Sequence, residues 1–429
     1  MDKDKKGIEW LFRQLPEWVE KGILPQDRAD ALRAHYQREE EGSGSSRLLT
    51  LFAIMGLALI GLGVILILAH NWDQLSRMHR LVLLLGQLFG AQLFAAYALW
   101  RKPDSIAWCE GSGVLLALLL GASLALIGQT YHVAAETGSF LLLWMLLVLP
   151  IVYLLRAVLP ALIYLAGIMA WLFVGVDYPG EKQWIWLLLA LLGPYYWQRL
   201  QTERYGEQAV ILSWSLLLCA YVSFVEIFQR YIGELDFLVY GTLFAATYLI
   251  GRCWFDEEVS VWKKAHKLVG GGGVLALSIA LTFQEFWHNE KWQASGQEEQ
   301  WLVGALLLLL VGFLWQSFRK ERGAWALGLQ PLVVAGGLFL VQACGSWASA
   351  LLFNVYALFI GIRALVQGVK RNSFTRLNAG MLLVAGLILV RFFDLNYSYV
   401  FRGSVFVSVG GAFLLVNAWL ARRKGKVMK

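Results

Sequence analysis

The chain has 429 residues, of which 58% are hydrophobic and 16% charged, and its mean hydropathy is +0.57. Soluble domains average about 45–50% apolar and about 25% charged residues, so a chain this apolar cannot bury its hydrocarbon in one soluble core. The net charge of +7 comes from short basic clusters spread along the chain, so we predict no nucleic-acid partner. The four cysteines are isolated, which argues against a disulfide framework or a zinc site.

Residues 1–46 are predicted to form a small cytoplasmic helical hairpin that ends in a Gly/Ser joint. Apolar residues recur at helical spacing near its start, at Ile8, Leu11, Phe12, Leu15 and Trp18. Gly22 is typical of a helix end, Pro25 of a helix start, and GSGSS (42–46) of a flexible joint. Because a hairpin this small cannot hold a core alone, we expect it to dock on a protein partner, on the membrane surface or on the cytoplasmic loops.

Residues 47–429 are predicted to form a transmembrane helical domain. A spanning helix needs about 20 apolar residues, and no run shows the alternation of period two that strands require. Fourteen apolar runs follow one another: 48–69, 80–100, 107–128, 139–155, 158–176, 184–198, 208–226, 235–251, 268–286, 301–318, 324–342, 347–366, 377–393 and 403–420. The predicted fold is therefore an all-α, polytopic transmembrane helical bundle of about 14 spans.

The distribution of Lys and Arg predicts the orientation of these spans. If the N-terminus lies inside and the spans alternate, 30 of the 37 basic residues fall on the cytoplasmic side. A miscounted span would move the later loops to the other side and blur this bias. The sequence thus predicts a multi-pass protein with both termini cytoplasmic and the lipid bilayer as its first partner.

Four stretches carry a family pattern: WVEKGILPQDRADALRAHY, LGVILILAHNWDQL, LIGQTYHVA and RFFDLNYSYVFRGSVFVSVGGAFLLVNAWL. Together they resemble the bacterial membrane proteins grouped as domain of unknown function 2157, mostly through the hairpin and the first several spans. The motifs NWD (71–73) and GQTYH (128–132) are the most specific when taken jointly. The Leu-Pro pair at 24–25 and His70 depart from the pattern. The resemblance implies a location in the bacterial cytoplasmic (inner) membrane and no established activity.

Polar side chains gather at the predicted outer ends of the first, third and thirteenth spans. If the third helix continues one turn past Gln129, then Gln129, His132 and Glu136 share one face. Arg391 and Asp394 are three residues apart and can pair on a helix. The predicted outer-face polar site consists of His70, Asn71, Asp73, Gln129, Tyr131, His132, Glu136, Arg391 and Asp394.

The outer polar residues have a functional and a structural interpretation. His132 titrates near physiological pH and, with Glu136 and Asp73, can relay protons or select a cation. Alternatively, these groups serve as hydrogen-bond partners at helix ends and as interfacial side chains. No metal-ligand spacing, catalytic motif or cofactor motif is found, so we predict no metal, no cofactor and no catalytic residues.

Glycine and proline positions predict packing and a helix break. GQLFG (86–90) and GGGG (270–273) favour close helix contact, and the latter lacks the Lys-Ser/Thr of a phosphate loop. Gln330 and Pro331 lie in the eleventh span, where a break would free backbone carbonyls. Pro150 lies seven spans earlier, a spacing found in transporters built from two inverted halves, although the halves share no residue-level similarity.

Two functional classes follow from these patterns. The first is a transporter or flippase-like protein with a polar site at the outer face, whose ion or small-molecule ligand is unknown. The alternative is a non-transporting membrane scaffold or sensor whose N-terminal hairpin docks a partner. An enzyme acting on a lipid-linked substrate stays open, but no motif points to one.

Overall fold

The computed structural model describes thirteen segments of the chain and a few positions after residue 400. The described residues are 14–21, 23–30, 32, 51–63, 66–67, 76–131, 136–174, 181–228, 235–255, 260–287, 297–319, 325–370, 373–394, 404, 407–408 and 410–411. These residues form helices and turns with no strand among them, so the all-α prediction is confirmed for this part of the chain. The predicted boundary at residue 46 stays a prediction because residues 33–50 lie outside the described segments.

The chain divides into two compact units, Met1–Ile227 and Phe228–Lys429. In the first unit, residues 14–20 and 26–30 are helical in the predicted hairpin. Seven longer helices follow: α1 Leu51–Gly63, α2 Arg77–Arg101, α3 Ile106–Tyr131, α4 Thr137–Leu155, α5 Val158–Val174, α6 Ile185–Glu203 and α7 Glu207–Phe228. Each of the seven overlaps one of the predicted apolar runs.

The second unit continues with helices that also overlap predicted runs. They are α8 Asp236–Trp254, α9 Ala265–Ala280, α10 Gln297–Arg319, α11 Trp325–Gly328, α12 Gln330–Cys344, α13 Ser346–Lys370 and α14 Phe374–Asp394. The short helix α11 and α12 together cover the eleventh predicted run. The fourteenth predicted run, 403–420, lies mostly outside the described residues.

Several of these helices are suited to a membrane. Among the described residues, seven are long and apolar enough to span one, and five shorter apolar helices accompany them. The long ones are Met78–Arg101, Ile106–Gln129, Thr137–Leu155, Glu207–Phe228, Asp236–Trp254, Trp325–Cys344 and Ser346–Lys370. The prediction of several apolar spanning helices is therefore confirmed, and the total of about 14 stays a prediction.

The helices expose the apolar surface that lipid contact requires. Only 22% of the apolar window in Met78–Arg101 is buried. Trp100 and Trp315 are exposed near helix ends, where an indole ring suits the boundary between hydrocarbon and water. Arg101 and Arg319 place their guanidinium groups 4.9 and 5.2 Å from the centres of these rings. Such a surface is stable in lipid and not in water.

Helix α3 is the centre of the first unit, where it packs against α2, α4 and α5. Half of its apolar window is buried. Trp144 of α4 crosses to α3 and donates its indole N–H to the Ala117 carbonyl oxygen at 2.9 Å. A Cβ atom added at Gly121 would overlap this indole, and one at Gly113 would lie 2.6 Å from Pro160 Cγ. Small residues on α3 thus let its neighbours approach closely.

A tight turn separates α4 from α5 and divides two predicted runs that almost touch in sequence. Arg156 has a φ of 49°, in the left-handed region, and it is the single non-glycine residue with positive φ among the described residues. It follows Leu155, the last residue of α4, and α5 begins at Val158. The reversal takes two residues, so the ends of α4 and α5 lie side by side.

In the second unit, α8 packs against α9, α10, α11 and α12. The run GGGG (270–273) lies inside α9 and faces α8, because a Cβ atom at Gly270 would overlap the backbone at Tyr248. The predicted close packing of this run is therefore observed at Gly270. Trp287 is fully buried nearby and donates its indole N–H to the Leu281 carbonyl oxygen at 2.8 Å.

We expect Gly121→Ala to lower the free energy of unfolding by about 1–3 kcal/mol, because the added methyl group must displace the Trp144 ring from its hydrogen bond to α3. Thermal unfolding of the purified chain in detergent measures the effect. Gly90→Ala is the matched control, since no described atom lies within 4 Å of its added methyl group. Equal midpoints for the two variants would contradict this packing role.

Candidate functional site

The predicted outer-face residues fall only partly within the described chain. His70, Asn71, Asp73 and His132 lie outside the described residues, and for Tyr131, Arg391 and Asp394 only the helical backbone is described. Gln129 lies exposed in the last turn of α3, and Arg391 and Asp394 lie in the last turn of α14. A meeting of these side chains in one site therefore stays a prediction.

Glu136 belongs to a different helix from Gln129. Helix α3 ends at Tyr131, and Glu136 stands as the N-cap of α4 with φ −58° and ψ 143°. Its side chain is exposed and makes no capping hydrogen bond. The prediction that Gln129 and Glu136 share one face of a continuous helix is therefore wrong. The position of the Glu136 carboxylate is set by the start of α4.

A buried carboxylate lies at the opposite end of α3. Glu110 is 4% exposed and sits in the second turn of this apolar helix. The backbone N–H of Val158 donates to its Oε1 at 2.8 Å, and that of Leu159 donates to its Oε2 at 2.7 Å. The side-chain amide of Gln208 also donates to Oε1, at 3.3 Å.

Glu110 thus caps the N-terminus of α5 from a different helix. The first N–H groups of a helix have no partner within it, and Pro160 lacks an N–H altogether. The positive end of the helix dipole also favours a carboxylate at this place. Because Gln208 opens α7, one side chain connects α3, α5 and α7.

Arg199 of α6 joins the same junction. Its terminal guanidinium nitrogen donates to the Arg156 carbonyl oxygen, and its Nε donates to the Tyr195 hydroxyl at 3.2 Å. The guanidinium carbon also lies 5.4 Å from the centre of the Tyr195 ring. These contacts fix the guanidinium group beside the turn between α4 and α5.

The helix ends surround an open cavity, which we call the junction cavity. Its volume is about 530 Å³, within the range of small-molecule sites. Its charged and amide side chains are Asp104, Glu110, Arg156, Arg199 and Gln208. They come from the α2–α3 connection, the α4–α5 turn and the ends of α6 and α7.

The far end of α6 and α7 carries an ion pair. Lys182 Nζ lies 2.6 Å from Glu226 Oε1, and the two side chains are 15% and 22% exposed. Lys182 precedes α6 and Glu226 lies in the last turn of α7, so this pair and the junction cavity lie at opposite ends of these helices. The partial burial makes the pair stronger than a fully exposed one.

The interruption between α11 and α12 lies directly before Gln330 and Pro331. Leu329 alone separates the two helices, close to the N-terminal end of the span Trp325–Cys344. Pro331 stands in the first turn of α12, where its missing N–H costs no hydrogen bond. By contrast, α4 runs without interruption through Pro150, so the two prolines do not mark equivalent breaks.

Gln330 is a fully buried amide. Neither its Oε1 nor its Nε2 has a hydrogen-bond partner among the described residues. A Cβ atom at Gly241 of α8 would lie 2.6 Å from Oε1, so the amide lies directly against this helix. A buried polar group without partners costs about 1–3 kcal/mol.

Sequence reasoning missed Glu110, Arg199 and Gln208. A signal was available for Glu110, because a lone carboxylate inside a predicted apolar span is costly and marks a site or a structural bond. Its partners could not be read from the chain, since Val158 is 48 residues away and Gln208 is 98 residues away. Among the described residues no group of three or more His, Cys, Asp or Glu side chains could hold a metal ion.

Comparison with known proteins finds one family model that is similar to the first part of the chain. Residues 16–161 match the family model described as "Predicted membrane protein (DUF2157)", whose function is not established, and the predicted resemblance is thereby confirmed over these residues. The match includes the predicted hairpin from residue 16 onward, α1–α4 and the start of α5, with Glu110 and Arg156. No curated protein and no solved structure matches the chain.

We expect Glu110→Gln to lower the free energy of unfolding by about 1–3 kcal/mol, because the amide nitrogen cannot accept from the N-terminus of α5 and one backbone N–H loses its partner. Chemical or thermal unfolding in detergent measures the change. The exposed Glu203 at the end of α6 supplies the control, Glu203→Gln, for which we expect no measurable shift. A stability of Glu110→Gln equal to that of this control would show that the cap is dispensable.

We expect Gln330→Met to raise the free energy of unfolding by about 1–3 kcal/mol, because an apolar side chain of similar length removes a buried amide without partners. Gln284→Met is the comparison, since this amide donates to Ser346 Oγ at 3.0 Å and its loss should destabilise. A fall in stability for Gln330→Met would mean that the amide has an unseen partner.

Proposed function

We propose that this protein is a transporter or flippase-like protein of the bacterial cytoplasmic membrane, with both termini in the cytoplasm. In this topology the junction cavity opens to the cytoplasmic side, and Gln129 and Glu136 of the predicted outer polar site lie at the other ends of α3 and α4. The observation that carries the proposal is the junction cavity itself, a polar space of about 530 Å³ at the end of an apolar bundle.

The charges of the junction cavity support a binding role. Ionisable side chains in spanning helices are costly and often mark the path of a substrate or ion. The guanidinium of Arg156 is exposed and forms no hydrogen bond or ion pair with a described residue. A basic residue suits the cytoplasmic side in this topology, and at an open cavity its charge also attracts an anionic solute.

Polar groups at the opposite end are consistent with a route through the unit. Lys182 and Glu226 pair there, and Gln129 and Glu136 are exposed at the ends of α3 and α4. A helical unit with polar, accessible groups at both ends and apolar residues between them resembles the architecture of a carrier more than that of a passive anchor. In this proposal, the outer polar site receives or releases the solute.

A second candidate is a membrane scaffold or sensor whose N-terminal hairpin docks a partner. One observation favours it: Leu15 and Ala29 of the hairpin are buried, while Ile23 at the bend is 67% exposed and free to contact a partner. In this candidate, the contacts of Glu110 serve the packing of the helices alone.

Reconstitution in proteoliposomes separates the two candidates. We expect the protein to accelerate either the translocation of a fluorescent phospholipid or the uptake of small anions, compared with protein-free vesicles, because a polar cavity lowers the cost of moving charge into the bundle. Rates equal to those of empty vesicles for both probes would overturn the transport proposal in favour of the scaffold.

Variants at the outer end test the predicted polar site within the same assay. We expect His132→Ala combined with Glu136→Ala to slow transport and to flatten its dependence on pH, because the group that titrates near neutral pH is removed. Glu181→Ala, which removes an exposed carboxylate beside the 3₁₀ turn Lys182–Trp184, is the control. Wild-type rates and pH dependence in the double variant would remove these residues from the site.

A further inference from the structure

We infer that the junction cavity binds a phosphate group, carried by a phospholipid headgroup or by a soluble phosphate ester, through the guanidinium groups of Arg156 and Arg199. This inference rests on the proposed function, since it names the class of ligand for the same cavity.

Two cations share the junction cavity with no carboxylate bound to either. Arg156 and Arg199 both line it, and neither forms an ion pair with a described carboxylate. The carboxylate of Glu110 accepts two backbone N–H groups and one amide N–H, and Arg199 interacts with it electrostatically without forming an ion pair. Asp104 is exposed on the α2–α3 connection. The cavity is therefore lined by two arginines, neither in an ion pair with a described carboxylate, that are available to an anion.

The geometry of Arg199 suits a tetrahedral oxyanion. A guanidinium has five N–H donors in a planar fork, and the hydrogen bonds to Arg156 and Tyr195 use two of them. The remaining donors have no described partner and are held in place by those two bonds. A pre-positioned fork binds phosphate oxygens with little loss of side-chain entropy, which is why arginine is common in phosphate sites.

The position of Arg156 has a different origin. Its φ of 49° belongs to the turn that lets α5 start two residues after α4, and glycine is the residue that adopts this conformation without strain. An arginine stands there instead, and this residue lines the cavity. The turn accounts for the backbone conformation, and the cytoplasmic position favours a basic residue. In this inference the same side chain also binds the anion.

Apolar side chains continue from the cavity to the surface of the unit. Leu99, Ile106 and Leu154 line the cavity beside the charged groups. Ile106 is 58% exposed and Leu154 is 67% exposed, and both lie in helices long enough to span a membrane. An acyl chain could lie along this surface while its headgroup occupies the cavity, so these contacts favour the lipid as the source of the phosphate.

Binding to the full-length protein in a mild detergent tests the inference without any transport. The probes are short-chain phosphatidylglycerol, glycerol 3-phosphate and an uncharged short-chain diacylglycerol, titrated while the intrinsic tryptophan fluorescence is recorded. We expect saturable binding of the phospholipid and none of the diacylglycerol. Tight binding of glycerol 3-phosphate, equal to that of the phospholipid, would identify a soluble phosphate ester as the ligand; weak binding would identify the lipid.

Three variants show whether the arginines hold the phosphate. Arg156→Gly suits the left-handed turn, keeps the protein folded and should weaken binding about tenfold, the loss expected for one charge-assisted contact. Arg199→Lys keeps the charge but loses the planar fork, and should weaken binding several-fold. Arg101→Gln removes a cation at the end of α2 that does not line the cavity, and should bind as the wild type does.

Unchanged binding in Arg156→Gly and Arg199→Lys, or no binding of either phosphate probe, would overturn the inference. The outcome is independent of transport. If the protein binds phosphate in detergent but moves no solute in vesicles, the phosphate site is supported and the proposed transport function is contradicted. If the protein transports solute but shows no phosphate binding that depends on the arginines, the transport function is supported and phosphate is contradicted as the ligand.

Discussion

The start of α5 leaves two backbone N–H groups in a buried position, and the carboxylate of Glu110 on α3 accepts both of them. A buried N–H group without a partner is costly, so this bond fixes where α5 begins relative to α3. The two-residue reversal at Arg156 then places the end of α4 beside it, and Arg199 ties α6 to the carbonyl oxygen of that turn. These hydrogen bonds hold the start of α5, the turn after α4 and the end of α6 close together. The junction cavity lies between these helix ends.

The hydrogen bonds at this junction distinguish a charged side chain that holds the helices together from those that are available to a ligand. Glu110 accepts two backbone N–H groups and one amide N–H, so it serves the packing of the unit. Arg156 forms no such contact with described residues, and Arg199 is bound on one side and open on the other. The second unit shows the opposite case in Gln330, a buried amide without a described partner beside a helix interruption. Polar groups within these apolar helices therefore include both satisfied and unsatisfied ones.

The approximate positions of the described helices could be predicted from the sequence, because a helix that crosses lipid needs a long apolar run to shelter its backbone. The narrow gap between runs 139–155 and 158–176 is a real helix boundary, closed by Arg156 in the left-handed region. The arrangement of polar groups was harder to predict. The spacing of Gln129 and Glu136 fits one helix face, but α4 starts with Glu136 as its cap, and residues such as Ala134 and Ala135 give no sign in the sequence of where a helix ends.

By itself the amino-acid sequence determined that the protein is a helical membrane protein, because so much hydrocarbon has no place in water and a backbone in lipid must satisfy its own hydrogen bonds. It also determined where most helices run. Only the tertiary structure decided which polar groups meet: Glu110 finds partners 48, 49 and 98 residues away, and Arg199 reaches a carbonyl group 43 residues away. Local sequence sets the length and period of a helix, but the contacts of a lone charge depend on which helix ends pack together, and that is a property of the whole bundle.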